Sequence, residues 1–316
     1  MKKKFLALIL AFCLTALCAC ANEPVFEEDP VVDNAGLRAT LIYFLSADGQ
    51  IVPVMKLLPW QEGIGKAALE CLVANEDNNA AASAMGLYPT IPEGVSFSLK
   101  IDEKENAELD ITNLPKLNSE TDERNMLVSI VNTLVSFPTI KTVSITLDGK
   151  KIKKLPHGTP VSNNMLAYSL NVENGDISVD VGDAAKLTLY FPNQRGSLFV
   201  PVTRIVKGSP TFELAVNEFL KGPSDKALTN CLSEGVELVS ATIVDDIATV
   251  NLNSIALALK TDQTGRLPAL YNALYLIAGE FGAVAELKLF AGETLLYENT
   301  ENVSAPLYPN EFTPNR

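Results

Sequence analysis

At 316 residues the chain has room for about two domains. Its composition, 47% hydrophobic and 20% charged, is that of packed globular protein and excludes a disordered chain. A formal charge of −13 argues against nucleic acid, whose phosphates must be met by cations, and against anionic lipid, so any membrane attachment must come from something other than charge.

Met1 is followed by Lys2, Lys3 and Lys4, and then by an apolar run from Phe5 to Leu14. A positive start before a short apolar core is the pattern of a secretory leader, and it is shorter than the roughly 20 residues a spanning helix needs. Leu17-Cys18-Ala19-Cys20 comes next. This resembles the lipobox of bacterial lipoproteins. The resemblance implies that residues 1–19 are a cleaved leader and that Cys20 becomes the first mature residue, its thiol carrying lipid. Sulfur is the nucleophile such chemistry needs, and two or three acyl chains hold where one is marginal. The plainer alternative is a secretory leader with incidental cysteines. Residues 20–37 are acidic and punctuated by Pro24 and Pro30, as in a flexible tether.

The first domain is expected over 38–169. A strand at Thr40–Leu45 leads through the turn signal Asp48-Gly49 into an extended piece, Ile51–Leu58. A helix is predicted from about Glu62 to Ala74, then an irregular connection through Ala80–Ala84, Pro89 and Pro92. Val95, Phe97, Leu99 and Ile101 alternate, as do Ala107, Leu109 and Ile111, around the polar turn Asp102–Asn106, so this reads as a hairpin. Leu127, Ile130, Val131 and Leu134 share one face of a helix that starts near Thr121 and ends at Pro138. A strand with Val143, Ile145 and Leu147 closes at Asp148-Gly149. The lysines at 150, 151, 153 and 154 fit a solvated, protected strand edge better than a partner patch.

A linker is expected over 170–184, where Ile177, Val179 and Val181 alternate and offer a further strand. The second domain, 185–316, repeats the first. Leu189-Tyr190-Phe191 answers Ile42-Tyr43-Phe44, and Val200-Pro201-Val202 answers Val52-Pro53-Val54. Its first helix is predicted with Ser209 as N-cap, Pro210 at the first helical position and Gly222-Pro223 as the stop. A hairpin follows (Val239, Ala241, Ile243; Ala248, Val250, Leu252) around Asp245-Asp246. Then come a helix through Leu270, Ala273, Leu274 and Ile277, and a strand at Leu287 and Leu289. Copies one domain apart indicate a duplication. The order β-(β)-α-β-β-α-β predicts an α+β protein of two similar domains, each a mixed sheet with two helices packed on one face.

Reactive constellations are sparse. His157, the one histidine, stands in the loop Leu155–Pro160 with no Ser or Cys motif beside it and reads as a plain loop residue. The pairs Asp245-Asp246 and Glu27-Glu28 fit a turn and a tether better than a glycosidase, whose two carboxylates must face each other across a cleft. Trp60 is a candidate sugar platform, though such a residue more often covers a helix end. Tyr43 and Tyr190 recur at matching positions, which suggests packing with the hydroxyl at a domain edge. Cys71 and Cys231 are expected as two separate small hydrophobes. No metal spacing exists and no cofactor is expected.

The Tyr-Phe strand, the Val-Pro run, the helix ending in Leu220-Lys221-Gly222-Pro223, and the glycines before each hairpin (Pro92-Glu93-Gly94, Ser233-Glu234-Gly235) together resemble the GerM domain family of endospore-forming bacteria. The first copy has Val73-Ala74-Asn75-Glu76 in place of the Gly-Pro stop. The resemblance implies tandem-domain lipoproteins of sporulation and spore germination, with folds similar to ring-building modules of sporulation assemblies. It implies a lipid anchor at the outer face of the cell membrane, other envelope or sporulation proteins as partners, and leaves oligomerisation open. The first expectation is therefore a non-enzymatic scaffold. The alternatives are a lipoprotein that binds a ligand or peptidoglycan in a groove between the repeats, which an aromatic cleft would favour, and a cell-wall hydrolase.

Overall fold

The structure, a computed structural model, describes residues 36–173, 184–297 and 308–312. Cys20, the leader, the tether with Glu27-Glu28, and the strand expected at Ile177–Val181 lie outside the described residues.

The first repeat opens with a long hairpin, β1 (Leu37–Ser46) and β2 (Ile51–Pro59). The turn forms where Gly49 takes a φ of 86°, open to glycine and strained for other residues. In β1, Thr40, Ile42, Phe44 and Ser46 point inward in strict alternation. Ile51 to Val54 of β2 are all buried, because both faces of that strand are covered. Next come α1 (Ile64–Glu70), α2 (Glu76–Ser83) and the short β3 (Leu87–Tyr88), which pairs with the end of β1. The mixed sheet follows: β4 (Ser96–Ile101), β5 (Asn106–Thr112), the long helix α3 (Glu120–Val135), β6 (Thr142–Leu147) and β7 (Lys150–Lys151). Its order is β4-β5-β6-β7, with β5 and β6 parallel. A parallel pair needs a crossover, and α3 supplies it.

The second repeat has the same plan. A hairpin, β8 (Ala184–Pro192) and β9 (Phe199–Lys207), leads to α4 (Phe212–Leu220). The sheet then runs β10 (Leu238–Val244), β11 (Ile247–Leu252), a 3₁₀ helix (Ser254–Thr261), α5 (Arg266–Gly279), β12 (Glu286–Ala291) and β13 (Thr294–Tyr297). Again the order is sequential and the β11–β12 pair is parallel.

The α+β, two-domain architecture stands, with four differences of detail. Each repeat divides its strands between a hairpin sheet and a four-stranded mixed sheet. The main helices fill the space between, α3 packing on β1 and β6, and α5 on β8 and β12. The connection through Ala80–Ala84 holds a helix, α2. It is polar and shows no apolar stripe, but Asn75 caps it through its side chain, which accepts from the Asn78 amide at 2.8 Å. The cap of α4 is Thr211, whose hydroxyl accepts from the Leu214 amide at 3.2 Å; Ser209 and Pro210 lie before the helix. The 3₁₀ helix was not expected. Ser119 caps α3 in the same manner as Thr211 caps α4, at 3.1 Å from the Asp122 amide.

Met126, Leu127, Ile130, Val131 and Leu134 of α3 are buried against Leu109, Ile111, Val143 and Ile145 of the sheet. In the second repeat Phe191 and Phe219 stack at 5.0 Å between centroids, joining β8 to α4. The buried apolar residues of both repeats belong to one continuous cluster.

Candidate functional site

The two repeats meet along β2 and β9, and the seam is built by chain that follows each repeat. After the first repeat, Leu170 and Glu173 pair through their backbones with Thr203 of β9, each at 2.9 Å. After the second, Asn310 and Phe312 pair in the same way with Met55 of β2, each at 2.8 Å. The trailing segment of each repeat thus borders the hairpin of the other. Asn171 and Asn310 then tie both hairpins together. Asn171 accepts from the Ile51 amide (2.9 Å) and donates to the carbonyls of Ile51 (2.8 Å) and Pro201 (2.7 Å). Asn310 accepts from the Phe199 amide (2.8 Å) and donates to the carbonyls of Phe199 and Pro53 (both 2.9 Å). Gln50 adds a cross-repeat bond to Asp225 at 2.8 Å.

Beside this seam a cavity of about 470 Å³ opens between the repeats. Leu41 of the first repeat forms one wall; Tyr190, Tyr275, Tyr308 and Pro309 form others, and Glu280 stands at the rim. The volume falls within the roughly 300–1,000 Å³ of small-molecule pockets. Tyr190, buried, donates its hydroxyl to Glu280 at 2.6 Å. Tyr275 donates to the Val284 carbonyl at 2.9 Å. Burial, followed by the nearby Glu280 charge, pushes the Tyr43 hydroxyl up to about 12. Burial and Glu280 push Tyr190 well above the ordinary tyrosine value too, with Tyr43 itself contributing. The matched tyrosines of the two repeats are thus close neighbours around one carboxylate, and both stay neutral.

Under the seam lies a buried ionic cluster. Arg204 donates to Glu173 (2.6 Å), to the Gly222 carbonyl (2.9 Å) and to the Glu218 carbonyl (2.5 Å). Glu173 also accepts from the Ser224 amide at 2.7 Å. All three charged side chains are more than nine-tenths buried. Glu173 thereby ties the segment leaving the first repeat to the helix end of the second.

His157 is more than a plain loop residue. Its ring Nε2 lies 2.6 Å from the Leu117 carbonyl, and its amide donates to Glu123 at 2.6 Å. Glu123 is fully buried on α3 and also accepts from the Thr159 amide at 3.3 Å. The pair latches a loop to a helix. Asp245 and Asp246 form the β10–β11 turn, with φ values of 47° and 65°. Trp60 does not cover a helix end: it is 63% exposed beyond β2, with the Arg38 guanidinium 5.4 Å from its ring centroid. Cys71 and Cys231 are both free; burial pushes the Cys231 thiol up to about 12. Lys150 and Lys151 form the exposed edge strand β7. A second hollow, of about 520 Å³, lies on the polar face of the first mixed sheet. It mixes Lys100 and Lys151 with Asp102, Glu108 and Asp110 and so favours neither sign of charge. Among the described residues, no group of three His, Cys, Asp or Glu side chains is placed to hold a metal ion. Nor, among them, is any helix long and apolar enough to cross a membrane.

Asn171, Asn310, Glu173, Arg204 and Glu280 were not singled out by the sequence. One signal was present: Arg204 is a charge inside the apolar run Phe199–Val206, a position that demands a buried partner.

A model of the Germane family, described as sporulation and spore germination, matches residues 41–153 and 188–294. The spore germination protein GerM of Bacillus subtilis (strain 168) is 27% identical over 277 residues, which span 84% of this chain and 75% of that protein. The solved structure of the tandem GerMN domains of the sporulation protein GerM from Bacillus subtilis is similar with a TM-score of 0.69 at 26% identity, covering 88% of this chain and 100% of the other. The family model falls on both repeats and on both of their mixed sheets, and this chain belongs to the Germane family of sporulation and spore germination.

Proposed function

We propose that this chain is a lipid-anchored scaffold of sporulation or spore germination, held by Cys20 at the extracytoplasmic face of the cell membrane and acting through protein–protein contacts rather than catalysis. The observation that carries the reading is the likeness to the tandem GerMN structure over 88% of the chain. Family membership supports a role in sporulation, and the leader with its lipobox supports the anchor. The seam supports a scaffold: two modules tied by reciprocal hydrogen bonds present their outer surfaces in one arrangement. Deleting the gene in its host is expected to lower spore yield or germination. The wild-type chain should restore it and Cys20→Ala should not. An unaffected deletion strain would overturn the role; full rescue by an unacylated Cys20→Ala chain would overturn the anchor.

One observation favours a second reading, a ligand-binding lipoprotein: the cavity between the repeats is concave, of ligand size and walled by three tyrosines. Filling it with Leu41→Trp is expected to abolish binding of any small occupant while leaving the fold intact.

A further inference from the structure

The cavity between the repeats has an uneven chemistry. Tyr190, Tyr275 and Tyr308 bring ring surfaces, and Leu41 and Pro309 bring apolar ones. One charged side chain lines it, Glu280. Among the described residues no cation pairs with Glu280; its recorded partner is the neutral hydroxyl of Tyr190. That bond occupies one oxygen and holds the carboxylate of an exposed residue at the rim. Tyr43 and Tyr190 remain protonated across the neutral range, so Glu280 is the one charge among the lining residues, while Arg38 and Glu311 act on Tyr308 from outside the lining.

Tyrosine rings around a single carboxylate attract one class of ligand above others. A cation gains from the ring quadrupoles and from the counter-ion together, while an anion is repelled by both. We propose that the groove between the repeats binds an organic ammonium group, with Glu280 as its counter-ion and the tyrosine rings as its walls. This rests on the second reading above, that the groove is a ligand site, and adds the chemistry of the ligand. The volume takes a chain about as long as a lysine side chain. A free diamine and the amine-bearing side chain of a peptide share that chemistry.

The test is calorimetric titration of the purified full chain with cadaverine and with Nα-acetyl-lysine amide. Nα-acetyl-norleucine amide and Nα,Nε-diacetyl-lysine amide are the uncharged controls. Both ammonium probes are expected to bind saturably, and the controls about tenfold more weakly or worse. Cadaverine binding the tighter points to a free amine; the lysine amide binding the tighter points to a peptide side chain. Glu280→Gln keeps an acceptor for Tyr190 at an exposed position, so the fold should hold, which an unchanged melting temperature verifies. It should weaken the charged probes about tenfold and leave the controls alone. Equal binding of charged and uncharged probes, or indifference to Glu280→Gln, overturns the ammonium assignment. If Leu41→Trp still blocks that binding, the groove reading survives. Absence of saturable binding by every probe overturns both.

Discussion

Asn171 and Asn310 make the same three hydrogen bonds in opposite senses across the seam. Each accepts from one backbone amide and donates to that residue's own carbonyl and to a proline carbonyl of the other repeat. Ile51 and Pro53 in one repeat correspond to Phe199 and Pro201 in the other, so the two contacts are related by a local two-fold axis.

Replacing either asparagine by alanine leaves buried carbonyls and an amide without partners. A loss of about 2–3 kcal/mol is expected for each, read by denaturant unfolding. The double variant should show coupling of about 0.5–3 kcal/mol, since both residues clamp the same pair of strands. Hydrogen exchange should rise first in β2 and β9. Exchange confined to one hairpin would mean that the repeats are held apart from this seam.

Arg204 sits between Glu173 and Glu218 with little access to water. Arg204→Met removes the cation from buried Glu173, while Glu218 keeps Lys221 at 2.5 Å, and should cost about 3–5 kcal/mol. Adding Glu173→Gln to that variant should recover a large part of the loss. No recovery would show that the arginine acts chiefly through the Glu218 and Gly222 carbonyls it also bonds.

Burial opposes ionisation of Glu123, but the His157 and Thr159 amides, the Thr159 hydroxyl and the His157 charge outweigh it and hold the carboxyl below its ordinary 4.5. A lowered value in the folded state stabilises above the unfolded value and is lost as pH falls through the folded one. Glu123→Gln should therefore be less stable than wild type at neutral pH, with the gap closing as pH drops below about 4.5. Thermal melts across pH 2.5–7, a window of about the range where carboxylates titrate, would read this. A gap independent of pH would assign the latch to shape alone.

Tyr43 works at the other end of the scale. Its hydroxyl rises from 10.0 to about 12 in the fold. The unfolded chain gives up that proton first, so stability falls as pH climbs between those two values. Tyr43→Phe should flatten this alkaline loss and remove the component of the tyrosinate absorbance that titrates at about 12, leaving any later component to Tyr190. An unchanged component at about 12 would overturn the assignment to Tyr43.

What the sequence determined by itself is local and periodic. The duplication, the hairpins, the apolar face of α3 and the Tyr-Phe and Val-Pro strands were legible because alternation and helical spacing report which side of an element is dry. Misreadings fell where the local signal was polar or ambiguous. Helix α2 has no apolar stripe, and Ser209, read as the cap, stands two residues ahead of Thr211, which carries the same capping hydroxyl. The seam and the groove were decided only by tertiary structure. Asn171 and Asn310 look like ordinary loop residues, and Glu280 like a solvated helix end. Their roles come from contacts between residues 30 to 257 positions apart, and no local pattern encodes which distant group a side chain will meet.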